Sequence, residues 1–502
     1  MEKSESPIVV GAWESHVQGE GVGRSREDRR KESGVTKDSQ QNLGMKKHKS
    51  LHPQTIRIRH RLAQWSQQGR KHWDLYRYMT DPFVLLDALK LVLQNRGASG
   101  IDGETCESIR KREWEYVTRL AQSLRDRTYQ TKPVRRVYIP KKDGRMRPLG
   151  IPTVRDRVVQ RALVLLLEPI YEQIFLPCSY GFRPGRNAME CAAEAAEGMF
   201  RRRYVLEADI ESFFDRVVHR RLKGMLKEQI VDPRILDVIG GFLESGFLEH
   251  RKPWQPTKEG TPQGGPLSPL LANIYLHYAL DQRFQKAASQ EGHTQLYRYC
   301  DDFIIMSDHP GRLRTARRAV NVWMKEAGLN LKESKTREID MSSRCRTRNS
   351  HLDFLGYRFH LRAFKDNPKR CWIARQPSEK ARKAFRARLK ERLHSFLSLQ
   401  QAKERLEETW QGWSGYFRYG NANRVLYREI HSLRRAVLFY LRKKFRSQRH
   451  PVPWNQLYPR GQMIWAEIKP PRVISHPLRQ SASLWSADTG RAVYRKSVRT
   501  VR

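Results

Sequence analysis

Hydrophobic residues recur at helical spacing in three parts of the chain. Between Ile56 and Gln94 they alternate with basic and aromatic residues, which predicts a helical segment near the N-terminus. Val159 to Ile170 shows the same spacing and predicts an amphipathic helix that Asp156 caps. From Glu379 to Leu441 the spacing returns among many Arg and Lys residues, and it predicts three basic amphipathic helices.

Shorter apolar runs, bounded by turn residues, predict strands between these helices. Arg136–Pro140 and Arg147–Leu149 flank Asp143-Gly144, which is a strong signal for a hairpin turn. Polar and apolar residues alternate over His351–Phe359, and we expect a strand there that closes the sheet. Helices that alternate with strands and with a returning hairpin favour an α+β fold.

Three aspartates stand where two further predicted strands meet turns. Val205–Asp209 predicts a strand that ends in Asp209, and Asp301-Asp302 precede the apolar strand Phe303–Met306. Adjacent carboxylates at ~4 Å repel by about 4 kcal/mol at an effective dielectric near 20, and a divalent cation would relieve that repulsion. Carboxylates on two strand ends are what a two-metal phosphoryl-transfer centre needs, and Mg²⁺ suits such oxygen ligands. A surface acidic cluster is the alternative.

Composition and charge indicate a partner that is a polyanion. The chain has 502 residues and a formal net charge of +43, from 96 Lys and Arg against 53 Asp and Glu. This charge predicts salt-sensitive binding to phosphate backbones, although histone-like packing or ribosome binding would give the same charge. No apolar stretch approaches the ~20 residues of a spanning helix and no signal-peptide pattern opens the sequence, so we expect a cytoplasmic protein without a membrane partner. The six cysteines form no Cys-x-x-Cys pair, which fits reduced thiols.

Several motifs, in their order along the chain, resemble a known family. Three motifs are similar to the palm motifs of reverse transcriptases: Asp209-Ile210 with Phe213-Phe214, Thr261–Pro269, and the Asp301-Asp302 doublet. Arg147–Pro152 and Ser179–Arg186 resemble blocks of the group II intron-encoded reverse transcriptase/maturases. The resemblance spans residues 50–450 and implies a right-hand polymerase fold, in which fingers and palm of antiparallel sheet plus helices precede an α-helical thumb/maturase domain. Cys300 is a departure, because the family usually has Ala there.

The resemblance implies a catalytic and metal-binding set. Two Mg²⁺ ions, for which Mn²⁺ can substitute, would be held by Asp209, the backbone carbonyl of Ile210, Asp301 and Asp302. Lys335 matches the lysine that acts as general acid toward pyrophosphate, and an exposed basic residue without a catalytic role is the alternative.

The resemblance also implies residues that bind the incoming deoxynucleoside triphosphate: Lys141, Arg147, Phe214 and Gln263. Lys141 and Arg147 would contact the triphosphate, where Arg can bind phosphate oxygens bidentately. Phe214 would be the steric gate against the 2′ hydroxyl that distinguishes RNA from DNA, and a core phenylalanine is its alternative.

RNA would be bound by the outer faces of the basic C-terminal helices. The predicted RNA-binding residues are Arg382, Lys383, Arg386, Arg434, Arg435, Arg442, Lys443 and Lys444. The Trp413–Phe417 stretch is typical of the family's maturase domain, and we expect its aromatic residues to form the core of the helical bundle.

The predicted domain organisation has five parts. Residues 1–52 are a disordered basic segment, 53–95 a helical extension, 96–370 fingers and palm, 371–450 the thumb/maturase domain and 451–502 a basic tail. The family uses such an extension to grip template or intron RNA, and a helical cap on the fingers is the alternative. Because no cysteine follows Cys371, we expect no nuclease domain of the His-Asn-His type with paired cysteines.

The function implied is that of an RNA-directed DNA polymerase, a nucleotidyltransferase, that binds group II intron RNA, assists its splicing and copies it into DNA during retrohoming. Its partners would be the intron RNA template, a DNA target or primer and deoxynucleoside triphosphates, in the cytoplasm or on the nucleoid, with homodimerisation left open. One alternative is a stand-alone reverse transcriptase in DNA repair or phage defence. Another is a non-catalytic RNA-binding splicing chaperone.

Overall fold

The structure of the chain is a computed structural model. It describes residues 51–140, 146–249, 251–261, 264–289, 293–342, 350–363, 367 and 371–446. The predicted disordered segment up to residue 50 and the basic tail lie outside these residues, as do Lys141, the Asp143-Gly144 turn and Gln263.

The described helices are distributed along the whole of this range. They are α1 Pro53–Gln67, α2 Leu75–Met79, α3 Pro82–Gln94, α4 Cys106–Arg110, α5 Glu113–Arg125, α6 Val154–Tyr171, α7 Ala188–Gly198, α8 His219–Lys227, α9 Pro233–Glu244, α10 Ser268–Leu276, α11 Gln282–Ser289, α12 Pro310–Glu326, α13 Glu379–Arg392, α14 Leu399–Phe417 and α15 Asn423–Arg446. None of them combines the length and the hydropathy of a membrane-crossing segment.

The described strands form three sheets. They are β1 Val134–Pro140, β2 Met146–Ile151, β3 Tyr204–Asp209, β4 Phe247–Leu248, β5 Thr294–Tyr299, β6 Asp302–Ser307, β7 Arg337–Asp340, β8 His351–Phe354, β9 Tyr357–Ala363 and β10 Cys371–Pro377. The sheet orders are β2-β1-β4, β5-β6-β3-β7 and β10-β9-β8, and the pairings are antiparallel except for β1 with β4. The mixture of helices with largely antiparallel sheets confirms the predicted α+β class.

The predicted N-terminal helical segment is confirmed as α1, α2 and α3. Hydrogen bonds and an ion pair connect α1 to α6. Arg59 of α1 donates to the Leu165 carbonyl at 2.6 Å and pairs with Glu168 at 2.7 Å. Ser66 donates to the Ile170 carbonyl at 2.9 Å. This face of α1 is therefore used for packing against α6.

The predicted cap of α6 is wrong. Thr153 caps the helix, because its hydroxyl accepts a hydrogen bond from the backbone N–H of Asp156 at 3.1 Å. Asp156 lies inside the first turn, where its carboxylate accepts from the Tyr129 hydroxyl at 2.6 Å and from the Lys132 N–H at 3.1 Å. The Asp156 carboxylate is thus engaged with residues 24 and 27 positions earlier in the chain, which helical spacing alone does not reveal.

The four-stranded sheet separates two hydrophobic cores. Successive strand residues point to opposite faces, so Phe303 and Ile305 of β6 face one core while Ile304 and Met306 face the other. The first core includes α3, α6 and α10, and the second includes the helices α13, α14 and α15. Burial on both faces explains why β6 is a continuous apolar run rather than an alternating one.

The strand predicted over His351–Phe359 is in fact a hairpin, and it belongs to a different sheet. Leu355 and Gly356 have φ values of 51° and 78°, and these two positive values make a type I′ turn between β8 and β9. The strand that closes the four-stranded sheet is β7, which pairs with β3. Leucine is unusual in a turn of this type, which is why the turn was not evident from the sequence.

Within the described part of the chain, three basic helices follow β10, and they confirm the predicted helical domain. Ser378 caps α13, and Ser398 with Gln401 forms a capping box on α14. Phe385 stacks on Trp413 with ring centroids 4.5 Å apart, so aromatic residues form the bundle core as expected. Because residues 371–377 pair with β9, we propose that this domain begins at Ser378.

Candidate active site

Two aspartates from different strands face each other at the end of the four-stranded sheet. Strands β5 and β6 form a hairpin in which Tyr299 is opposite Asp302, so Cys300 and Asp301 are the two turn residues. Strand β3 pairs with the other edge of β6, with Asp209 opposite Asp302. Residues 92 positions apart in the sequence, 209 and 301, are thereby brought to one end of the sheet, as the acidic motifs predicted.

The carboxylates at this end of the sheet lie close together, and the pKa values of Asp301 and Asp302 are raised. Burial raises the pKa of Asp301, and the negative charge of Asp209 raises it further. Burial, the charges of Asp301 and Asp209 and a hydrogen bond with Asp209 raise the pKa of Asp302 to about 7. Asp302 is nevertheless exposed to solvent. Protons or cations must therefore compensate the charge here.

Lys335 supplies one cation to this group. It lies in a 3₁₀ turn, Glu333–Lys335, which follows a backbone hydrogen bond from the Lys332 N–H to the Asp209 carbonyl at 2.8 Å. Its ammonium group donates a hydrogen bond to the Asp209 carboxylate. Burial opposes the charged form of Lys335, but the hydrogen bond and the charge of Asp209 outweigh burial and raise its pKa.

The carboxylates fit a divalent cation by their chemistry. Within the described ranges, no three His, Cys, Asp or Glu side chains are arranged as a metal-binding group. Asp209, Asp301 and Asp302 nevertheless offer only oxygen donors, and a cation among them would remove the repulsion that raises the pKa values of Asp301 and Asp302. Ile210 is buried and pairs with Leu331, and its carbonyl as a fourth ligand remains a prediction.

Of the four residues predicted to bind the nucleotide, the structure describes Arg147 and Phe214. The positive charge of Arg147, on β2, lowers the pKa of Asp301 and so partly offsets the raising effects. Phe214 is half-buried, with its ring 5.4 Å from that of Phe213. Gly264 has φ 121°, and a Cβ there would be 2.4 Å from the Gly150 carbonyl oxygen. The loop with Gly264 thus contacts β2, whereas Lys141 and Gln263 lie outside the described residues.

The structure distinguishes two groups among the predicted RNA-binding residues. Ion pairs engage Arg382 and Arg386 with the buried Glu429, and Lys383 with Glu379. The Lys444 ammonium donates to the Leu397 carbonyl at 2.8 Å. The other four predicted residues, Arg434, Arg435, Arg442 and Lys443, occupy exposed positions on α15. RNA contact by any of the eight remains a prediction.

Sequence reasoning missed Arg298 and Asp281, which form a fully buried ion pair behind the turn. The one signal was an arginine within the otherwise aromatic and apolar run that precedes Cys300. It also missed Glu429, an acidic residue in a helix otherwise rich in Arg and Lys.

Comparisons with known proteins agree with this geometry. Residues 139–359 match the reverse transcriptase (RNA-dependent DNA polymerase) family, and residues 382–456 match the group II intron maturase-specific domain. The chain is 40% identical over 230 residues to the group II intron-encoded protein LtrA of Lactococcus lactis subsp. cremoris, which is 44% of this chain and 37% of LtrA. It is 37% identical over 229 residues to protein YkfC of Escherichia coli, covering 44% of this chain and 60% of YkfC. The chain therefore spans less than two thirds of either relative.

Proposed function

We propose that the chain is a reverse transcriptase with a group II intron maturase-specific domain, an RNA-directed DNA polymerase that binds intron RNA. The observation that carries the proposal is the register of β3 against β6, which sets Asp209 opposite Asp302 beside Asp301. A binding-only protein has no chemical reason to assemble three carboxylates and a lysine at one point.

Polymerisation would join a primer 3′ hydroxyl to the α-phosphate of a deoxynucleotide. Reverse transcriptases generally use divalent metal ions, and two Mg²⁺ or Mn²⁺ ions held by the three aspartates and the Ile210 carbonyl would stabilise the attacking and leaving oxygens. Lys335 would donate a proton to the departing pyrophosphate, from the position in which it now donates to Asp209.

The remaining residues would select and orient the nucleotide. Arg147 and Lys141 would bind the triphosphate, and Gln263 would contact the sugar. Phe214 lies five residues after Asp209. The Phe214 carbonyl accepts a hydrogen bond from the Thr261 N–H at 2.7 Å, and this bond places Phe214 beside the loop that follows Gly260. This packing fixes its backbone, so its ring can exclude a 2′ hydroxyl.

The helical domain would supply the second role, which is to bind intron RNA and assist its splicing. The maturase-specific match and the exposed cations of α15 support this role. We propose a DNA primer or target and intron RNA as partners, and a cytoplasmic setting. In the described part of the chain the cysteines Cys106, Cys178, Cys191, Cys300 and Cys371 are free thiols, which suits a reducing compartment.

Primer extension on an RNA template tests the polymerase. Asp301→Ala should abolish Mg²⁺-dependent extension and leave RNA affinity within about twofold, because the carboxylate binds the ion and not the RNA. Asp308→Ala is the matched control, since Asp308 is an exposed carboxylate just beyond the far end of β6, paired with Arg312. Full extension by the Asp301 variant would refute the assignment.

A splicing assay separates the intron-linked protein from a stand-alone reverse transcriptase. At an Mg²⁺ concentration too low for unassisted splicing, the protein should accelerate splicing of its group II intron RNA. A protein that extends primers but never accelerates splicing would support the stand-alone alternative.

A further inference from the structure

A buried arginine lies directly behind the turn that carries the catalytic aspartates. Arg298 is on β5, two residues before Cys300, and its side chain has no exposed area. Its partner Asp281 is equally buried and ends a π-helical turn, His277–Asp281, between α10 and α11. The Arg298 Nε and Nη2 atoms donate to the two carboxylate oxygens of Asp281 at 2.8 and 2.5 Å.

Every N–H group of this guanidinium has a partner. Besides the two bonds to Asp281, Nη1 donates to the Asn273 amide oxygen at 3.0 Å and to the Cys300 carbonyl at 3.1 Å, and Nη2 donates to the Ser179 hydroxyl at 2.8 Å. An arginine has five N–H donors in a rigid fork, so all five are used. A buried charge is tolerated only when it is satisfied in this way.

The turn that Arg298 contacts has an unusual backbone. Cys300 has φ 59°, whereas Asp301 does not have a positive φ. A two-residue hairpin turn with a positive φ only at its first position is of the kind that normally takes glycine there. Such a conformation persists in a cysteine only if the surrounding structure holds it.

A second segment, around Gly181, packs against the turn from another side. A Cβ on Gly181 would lie 2.4 Å from the Cys300 Sγ and 2.7 Å from its backbone nitrogen. The same segment is fixed by Asn273, whose amide donates to the Gly181 carbonyl at 2.7 Å, and by the Tyr180 N–H, which donates to the Arg298 carbonyl at 2.9 Å. Arg298 and Asn273 therefore join the Gly181 segment, the π-helical turn and the catalytic turn.

We propose that Arg298 is a positioning residue for metal binding. Through its bonds to Asp281 and to the Cys300 carbonyl it holds the strained turn so that the Asp301 and Asp302 carboxylates stay beside Asp209. The inference rests on the proposed polymerase function. Residues that orient metal ligands in this way typically change metal affinity or activity by roughly 10–100-fold when replaced.

The test replaces the ion pair with apolar side chains of similar size. Arg298→Met combined with Asp281→Leu should keep the thermal midpoint, because such swaps of buried ion pairs are often neutral for stability. Mn²⁺ binding, followed by electron paramagnetic resonance, should weaken by about 10-fold, and kcat should fall by roughly 10–100-fold with the KM for primer–template unchanged. The matched control is Arg59→Met with Glu168→Leu, an ion pair between α1 and α6 away from the turn, which should leave Mn²⁺ affinity unchanged.

A third substitution gives a readout that a structural role alone would not move. Cys300→Gly in the double-variant background relieves the positive φ, and it should recover part of the Mn²⁺ affinity. If the double variant falls below the wild-type midpoint, Arg298→Lys replaces it with the same measurements, since lysine keeps the charge with three donors in place of five.

Wild-type Mn²⁺ affinity in both Arg298 variants, or an equal loss in the α1–α6 control, would overturn the positioning role. Failure of the wild-type chain to extend a primer would instead count against the proposed function, and the Mn²⁺ titration would still decide on Arg298.

Discussion

Replacing Glu429 with alanine should loosen the helical domain, because this one carboxylate of α15 binds two arginines of α13. Glu429 has no exposed side-chain area. It accepts hydrogen bonds from Arg382 Nε at 2.7 Å and from Arg386 Nε and Nη2 at 2.8 and 2.6 Å. The two arginines are four residues apart on one face of α13, so their bonds to Glu429 join α13 to α15.

The size of the expected loss in stability follows from the exposure of the Glu429, Arg382 and Arg386 side chains. Breaking a buried ion pair costs about 3–5 kcal/mol when the charge left behind stays buried. Arg382 and Arg386 keep 24% and 41% of their side-chain area exposed, so water can solvate both after the carboxylate is removed. We therefore expect Glu429→Ala to reduce the free energy of opening this domain by about 2–3 kcal/mol.

Hydrogen exchange followed by mass spectrometry measures this opening locally. Amides in the middle of α13 and α15 should exchange about 30–150-fold faster in the variant, because 1.4 kcal/mol corresponds to tenfold. Glu379→Ala is the control on the same helix, since it removes only the exposed pair with Lys383 at 3.2 Å and should change exchange by less than about threefold. Equal exchange in the two variants would refute the reasoning.

The pH dependence gives an independent check on Glu429. Burial opposes ionisation of Glu429, but its hydrogen bonds to Arg386 and Arg382 outweigh burial and lower its pKa below the ordinary 4.5. A carboxyl group whose pKa is lowered in the folded state stabilises the protein above its unfolded-state pKa, and this stabilisation is lost as the pH falls through the folded-state pKa. The difference between wild type and Glu429→Ala should therefore be full at pH 7 and shrink below 4.5.

Three further outcomes can be measured on the same protein. Phe214→Ala should admit ribonucleotides in single-nucleotide extension, and unchanged sugar discrimination would remove Phe214 as the gate. Because the pKa of Asp302 is about 7, Mn²⁺ affinity should rise as the pH increases toward 7 and level off above it, whereas a flat titration would contradict a role for this carboxylate as ligand. RNA affinity should fall steeply between about 50 and 200 mM salt if α15 binds phosphates, and a filter-binding series would show a shallow slope if it does not.

Local patterns predicted most elements that build the site. The apolar run ending in Asp209 predicted β3, and the apolar run after the Asp301-Asp302 doublet predicted β6. Both depend on neighbouring residues, which the sequence displays directly. Predictions failed at the start of α6, where Thr153 and not Asp156 caps the helix, and where a turn used an atypical residue, as at Leu355.

Local sequence patterns did not predict the ion pairs of Arg298 and Glu429. Arg298 meets partners 17, 25 and 119 residues away, Asp281, Asn273 and Ser179. Glu429 meets arginines 43 and 47 residues away. The local signals were an aromatic and apolar run around Arg298 and a basic helix around Glu429, and neither signal identifies a distant partner.

The sequence by itself indicated the resemblance to reverse transcriptases, the α+β class, the basic character and the order of the acidic motifs, because periodicity and motif order are properties of the chain. Only the tertiary structure decided that Arg382 and Arg386 are bound to Glu429, that Lys335 donates to Asp209, and that Arg298 lies fully buried behind the turn that carries Asp301. The physical reason is that the partner of a charged side chain depends on which distant segments pack together, and that packing minimises the free energy of the whole fold rather than of any local stretch.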